Sequence, residues 1–266
     1  MTGEAVAAAV AVARDFGVSV VDPVVLADGS NVLVWLRPAP VVARVAKLTA
    51  LVRPGVEAWL ARDISVSAYV GARGVPAVTP SVDPPAGPHH RDGQVLAFFE
   101  YVPHSSAGVG APAEVASALT SLHSALDGYD GELPAAGPVD DLRLGHDLLE
   151  REGILTGSVL ARLRADLEFL AVEIRAFPVR PLHGDAHPGN LLSTPDGLVW
   201  NDFEDAWRGP LAWDLACMAR TRRLDGVAAL ASYPGSPTVD DLGVYFSARR
   251  LQGQLWTKMM EFVMGF

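Results

Sequence analysis

Near Pro103 the pattern of apolar and polar positions changes its rhythm. Before it, short runs dominate: Val20 to Leu26, Val32 to Leu36, Val41 to Ala46 and Val95 to Val102 are β-branched or apolar stretches. Such runs, bounded by turn formers, predict strands. ADGSN, Ala27 to Asn31, and RPAP separate the first three, so these read as strands joined by turns. Val56 to Val70 instead carries helical spacing, with Gly71, Gly74 and Pro76 as stop signals. PSVDPPAGPHHRDG, Pro80 to Gly93, predicts a long Pro-rich loop. The N-terminal EAVAAAVAVARDF predicts an Ala-rich helix. It is too short for a membrane span and lacks the basic start of a secretion signal.

Beyond Pro103 the period becomes helical. Ala113 to Leu126 repeats apolar residues at Val115, Leu119, Leu122 and Leu126. Asp140 to Glu152, Ser158 to Phe177, Trp213 to Arg220 and Leu242 to Val263 extend the set. The expectation is an α+β chain of two lobes. Residues 1–102 form an antiparallel-sheet lobe with one main helix, and residues 103–266 form a mostly helical lobe.

Composition narrows the partners. Residues 1–110 carry 8 Lys/Arg against 9 Asp/Glu, a net of −1, whereas residues 111–266 carry 13 against 22, a net of −9. An acidic second half argues against nucleic acid. It would attract a polycation or simply aid solubility. No membrane partner is expected. The lone Cys217 excludes an intrachain disulfide and favours the cytoplasm, and its apolar helix makes it a core residue.

One segment carries chemistry: LHGDAHPGNLLSTPDGLVWND, Leu182 to Asp202. HGDAHPGN fits the pattern H-x-D-x-x-x-x-N, and DFE at Asp202 to Glu204 stands where protein kinases have DFG. In that template the Asp accepts a hydroxyl proton while the Asn and the later Asp hold Mg²⁺. Reacting groups misplaced by about 1 Å can lose about a hundredfold in rate, so one rigid loop must carry them. Pro188 and Gly189 bend the loop, and the turn TPDG (Thr194 to Gly197) makes a hairpin expected to return Asp202 to the same side. Hard oxygen ligands suit Mg²⁺. A transition-metal site of His183, Asp185 and His187 is an alternative, though it leaves Asn190 and Asp202 without a role.

These residues resemble the aminoglycoside phosphotransferase family, which includes choline-kinase-like and homoserine-kinase-like enzymes. HGDAHPGN, NDFED and WDLA (Trp213 to Ala216) carry the resemblance, with ARVA (Ala43 to Ala46), EYV (Glu100 to Val102) and LTSLHSAL (Leu119 to Leu126) in support. The resemblance implies a protein-kinase-like fold, with ATP and Mg²⁺ as cofactors. It makes Asp185 the catalytic base and Asn190 and Asp202 the metal ligands. His183 and Asp214 would support the catalytic loop, Gly29 and Ser30 would cover the phosphates, and Glu100 and Val102 would offer backbone groups to adenine.

One position departs from the commonest pattern. Where a kinase has a strand Lys paired with a helix Glu, the register of VVARVAK puts Arg44, with Asp63 as partner and Lys47 on the other side. Arg is longer and Asp shorter, so the pair can span a similar gap. The function implied is transfer of the ATP γ-phosphate to a small-molecule hydroxyl. An aminoglycoside acceptor would need carboxylates such as Asp127, Asp130, Glu132, Asp140, Asp141, Asp147, Glu150, Glu204 and Asp205. Choline would suit a cage of Trp200, Trp207 and Trp213, which at this spacing also fit a core. An amino alcohol or sugar is a further acceptor, and an inactive nucleotide-binding protein is the rival class.

Overall fold

A computed structural model describes residues 2–105, 109–175, 178–235 and 237–264. Contacts divide the chain into two units: Met1–Ser105 with Val199–Glu204, and Ser106–Leu198 with Asp205–Phe266. The expected division at 102/103 put Asp202 in the helical part, whereas Val199–Glu204 clusters with the first unit. Backbone bonds explain this. Trp200 donates to Pro76 O at 2.9 Å, Val78 donates to Trp200 O at 2.8 Å, and Phe203 N–H donates to Asp63 Oδ1 at 2.9 Å.

The first unit holds α1 (Thr2–Asp15), β1 (Val20–Asp28), β2 (Asn31–Pro38), β3 (Val41–Ala46), α2 (Leu48–Val52), α3 (Glu57–Gly71), β4 (His89–Arg91) and β5 (Gln94–Glu100). Its five strands form one antiparallel sheet in the order β1-β2-β3-β5-β4. Period-two alternation sorts the side chains. Val32, Val34 and Leu36 of β2 and Val41, Ala43 and Val45 of β3 pack with Leu96 and Phe98 against the alanine face of α1. Ala5, Ala8, Ala9 and Ala13 are small enough to bring that helix close, and each Val buried beneath it contributes roughly 1.5–3 kcal/mol. Ala97 and Phe99 of β5 pack instead with Leu60 of α3.

The Pro-rich loop contains a strand the apolar pattern did not announce. β4 pairs with β5 through a two-residue turn, Asp92 (φ 51°) and Gly93 (φ 76°), with Arg91 opposite Gln94. Both turn residues have positive φ, as hairpins closed by Asp-Gly require.

The second unit is mostly helical: α4 (Pro112–Leu126), α5 (Gly137–Arg151), α6 (Gly157–Arg175), α7 (Ala212–Ala219), α8 (Gly226–Ser232) and α9 (Gly243–Met264). Among them lie β6 (Arg180–Leu182), β7 (Leu191–Thr194) and β9 (Trp207–Gly209), while β8 (Gly197–Trp200) begins in this unit and ends in the Val199–Glu204 segment of the first. β6 pairs with β9, and β7 turns into β8 at the TPDG sequence, where Thr194 Oγ1 donates to Gly197 O at 2.8 Å. Phe177, the expected end of α6, lies outside the described residues. The short α8 was not expected; Asp225 caps it by accepting from the amides of Val227 and Ala228.

Candidate active site

In the second unit, β6 delivers the chain to His183 and a tightly held loop follows. Gly184 has φ +86°, and a Cβ there would stand 1.8 Å from the carbonyl oxygen of Asp205, so only glycine fits. Asp214, fully buried in the first turn of α7, accepts the amide of His183 at 2.9 Å and of Gly184 at 3.0 Å. Trp213 Nε1 donates to Gly184 O at 2.6 Å. His123 Nε2 lies 3.0 Å from Asp214 Oδ2, and its Nδ1 lies 2.9 Å from the Tyr233 hydroxyl. A carboxylate only accepts, so the ring proton belongs on Nε2. His183 is buried, with Nδ1 accepting the amide of Asp185 at 3.3 Å.

Asp185 follows, with 23% of its side chain exposed. Its backbone oxygen accepts from His187 N at 2.7 Å and from Asn190 Nδ2 at 2.9 Å; that amide also lies 3.4 Å from Asp185 Oδ2. Both groups facing the Asn190 amide are acceptors, so its NH₂ end points at Asp185 and Oδ1 is turned away from it. His187 Nδ1 accepts the amide of Gly189 at 2.8 Å, which puts the proton on Nε2, 3.4 Å from Asp185 Oδ2. From α9, Arg249 donates Nη2 to Asp185 Oδ1 at 2.5 Å and Nη1 to Gln252 Oε1 at 2.5 Å, with its guanidinium 5.6 Å from the Trp213 ring centre. Burial alone would raise the Asp185 pKa. Arg249, His187 and His183 outweigh it, and the carboxyl is held well below the usual range.

His183, Asp185 and His187 do not gather as metal ligands. Among the described residues, three ligand atoms of His, Cys or carboxylate type come within 4.8 Å of one another only at His146, Asp147 and Glu150.

In the first unit a second charged cluster forms around Arg44. Residues 41, 43 and 45 of β3 face α1, so Arg44 faces α3, where Asp63 stands. Arg44 Nη1 lies 3.5 Å from Asp63 Oδ2 and 3.5 Å from Glu204 Oε2, and it hydrogen-bonds Asp202 Oδ1. Burial disfavours the Arg44 charge, but Asp202, Asp63 and Glu204 together overcome this and raise its pKa. Burial likewise pushes the Asp63 carboxyl up to about 6, with Arg44 opposing. Asp202 adopts φ +68°, a left-handed conformation that Asp tolerates better than most residues. Lys47 is elsewhere, paired with Asp28 at 2.5 Å.

The ADGSN turn is anchored rather than open. The Ser30 carbonyl accepts the amides of Lys47, Leu48 and Thr49 at 3.3, 2.9 and 3.3 Å, closing the start of α2, while Gly29 N–H donates to Asn31 O at 3.1 Å. Asn31 Nδ2 donates to Glu204 Oε2 at 3.2 Å and its Oδ1 accepts from Thr49 Oγ1 at 2.7 Å. At the end of β5, the Glu100 amide donates to Thr79 O at 2.8 Å, and Val102 O lies 2.8 Å from His104 Nδ1.

Two substrate candidates, Glu204 and Trp207, are buried. Glu204 is buried and ion-paired to Arg53 at 3.2 Å, besides its contacts with Arg44 and Asn31, so it belongs to the Arg44 cluster. Trp207 is core: buried, edge-on to Trp213 with ring centres 5.7 Å apart, and packed over Gly137 and Gly209. Trp200 and Trp213 are buried too, so the three indoles present no exposed cage. Asp205 is half-buried, and its charge favours that of Arg249. Of the other carboxylates expected for a polycation, Asp127 pairs with Arg180, Asp140 with Arg143 at 3.4 Å and Glu150 with Arg164 at 2.8 Å.

Comparison with solved structures shows the fold. A choline/ethanolamine kinase family protein from Mesorhizobium loti superposes with TM-score 0.65 at 14% identity, covering 100% of this chain and 88% of that one. The choline kinase LicA from Streptococcus pneumoniae gives 0.66 at 16% identity, covering 93% and 88%. A streptomycin–ATP complex of APH(2")-IIa gives 0.59 at 16% identity, covering 92% and 89%. The kinase-like α+β fold is therefore shared. A search of curated protein sequences finds no match to this chain. Residues 24–240 match the model of the phosphotransferase enzyme family, spanning the sheet, the HGDAHPGN loop and the WDLA helix, and the chain belongs to that family.

Proposed function

We propose that this chain transfers the γ-phosphate of ATP to a hydroxyl of a small molecule, with Asp185 as the base. The observation that carries the proposal is the loop from His183 to Asn190. Asp214 clamps its entry, and Asn190 is tied to Asp185 with its own oxygen turned away. The acceptor oxygen bonds to the γ-phosphorus as the bond from that phosphorus to the β–γ bridging oxygen breaks. The electron pair leaves with ADP, and the hydroxyl proton passes to Asp185. Asp185 is suited to orienting the hydroxyl, because its carboxyl stays ionised.

Asn190 Oδ1 and the Asp202 carboxylate are hard oxygen donors of the kind Mg²⁺ takes, so the residues fit that ion. When bound, Mg²⁺ neutralises charge on the phosphates. Arg44 steadies the phosphates, with Asp63 and Glu204 holding its guanidinium; Gly29 and Ser30 cover them; and Glu100 and Val102 meet the adenine edge. His183 and Asp214 position the loop. Dependence on ATP and the single buried Cys217 fit a cytoplasmic protein. Among the described residues no helix is long and apolar enough to cross a membrane.

The test is coupled ADP release with MgATP over a panel of hydroxyl acceptors, with Asp185→Asn as control. Release that requires both an acceptor and Asp185 is expected. Release unchanged by Asp185→Asn would overturn the assignment.

A further inference from the structure

Five arginines lie on α9 and on the turn between α7 and α8: Arg220, Arg222, Arg223, Arg249 and Arg250. They stand out in a half of the chain whose net charge is −9, from 13 Lys/Arg against 22 Asp/Glu. Arg249 holds Asp185. Arg223 lies against the same loop, since a Cβ at Gly189 would be 3.3 Å from its Nε. Arg220 reaches toward α9, with Nη1 4.0 Å from the Cβ position of Gly253. Among the described residues, Arg220, Arg222, Arg223 and Arg250 form no ion pair with a carboxylate.

Arg220 and Arg250 also line a cavity of about 990 Å³ between α6 and α9. Its other cations are matched within their own helices, Arg162 with Asp166 and Lys258 with Glu261, each at 3.9 Å. Leu155, Leu163, Leu251 and Leu255 give it apolar wall. Of the unmatched arginines, Arg223 therefore adjoins the loop, and Arg220 and Arg250 adjoin a volume of ligand size. Burial and the nearby Arg249, Arg250 and Arg222 lower the Arg220 pKa, as expected where like charges crowd together.

On the phosphotransfer reading, we propose that the acceptor bears an anionic group, a carboxylate or phosphate monoester, received by Arg249 with Arg220 and Arg223. The anion exchanges for Asp185 as the partner of Arg249, so one ion pair replaces another while Asp185 Oδ1 is released to the acceptor hydroxyl. Guanidinium suits this role because it binds carboxylate or phosphate through two parallel bonds. A cationic acceptor would meet like charge at the same place, which costs affinity.

The experiment compares glycerate and glycerol 3-phosphate with neutral glycerol and cationic ethanolamine under MgATP, in wild type, Arg249→Gln and the exposed-site variant Arg223→Gln. The expected result is kcat/KM at least about tenfold higher for the anions. KM for the anions should rise about tenfold in each variant, and in Arg223→Gln KM for glycerol stays unchanged. Equal or better turnover of glycerol or ethanolamine, or an equal loss for every acceptor, overturns the anion site and leaves phosphotransfer standing. If nothing turns over, calorimetry with glycerol 3-phosphate decides. Binding lost in Arg249→Gln keeps the anion site and counts against phosphotransfer, while absence of binding overturns the site.

Discussion

Arg44 and Asp63, one on β3 and one on α3, face each other at 3.5 Å with both side chains almost wholly buried. The pair follows from strand alternation, which turns Arg44 toward α3. Around it stand Asp202 and Glu204, so a single guanidinium is shared by three carboxylates.

Removing that guanidinium leaves buried negative charge without a partner. Arg44→Ala should lose about 3–5 kcal/mol in urea denaturation, together with MgATP affinity measured by calorimetry. Arg44→Lys keeps the charge but not the fork, and should fall between. Lys47→Ala, which breaks only the half-exposed pair with Asp28, should change affinity less than about twofold. Loss of MgATP binding in Lys47→Ala with retention in Arg44→Ala would reverse the assignment.

Glu204 offers a second test, because the same residue reads from sequence as a substrate carboxylate. Its oxygens accept from Arg53 and Asn31 inside the first unit. Glu204→Gln should therefore lower stability by about 1.5–3 kcal/mol, the range for a lost hydrogen bond to a charged group. Acceptor KM should stay within about twofold of wild type. A rise of tenfold in acceptor KM with unchanged stability would return Glu204 to the acceptor site.

Asp214 accepts from two backbone amides and faces His123 with no exposure to solvent. In Asp214→Asn an NH₂ group must oppose one of those donors. The expected cost is about 3–5 kcal/mol of stability, with kcat reduced about a hundredfold as the loop loosens. Thermal melting and initial rates check this, and a stable variant with normal kcat would argue against a positioning role.

Cys217 reports on the same loop. Its thiol sits 3.9 Å from the Gly184 carbonyl, and burial pushes its pKa well above the ordinary value. The thiolate is the reactive form, so at pH 8 the folded protein should resist Ellman's reagent and react fully in denaturant. Rapid labelling without denaturant would show that the loop opens readily.

Much of the fold was legible, because β2, β3 and β5 are apolar runs and the helices keep their period. The loop from His183 to Asn190 was legible too, since its groups lie within eight residues. What escaped depended on contacts across long stretches of chain. His123 reaches Asp214, Asn31 and Arg53 reach Glu204, and Arg249 reaches Asp185, from 64 to 173 residues away. Spacing carries no sign of such partners. The β4 hairpin is different: Asp92-Gly93 signalled it, but the surrounding prolines made the segment read as loop.

The guanidinium at position 44 also decides which reagents can find this protein. Acyl-phosphate probes that tag kinases through a nucleotide-site lysine need an amine able to shed its proton. Arg44, held charged by three acids, cannot supply one. On the proposed nucleotide role of this cluster, such probes would find no amine to acylate at position 44.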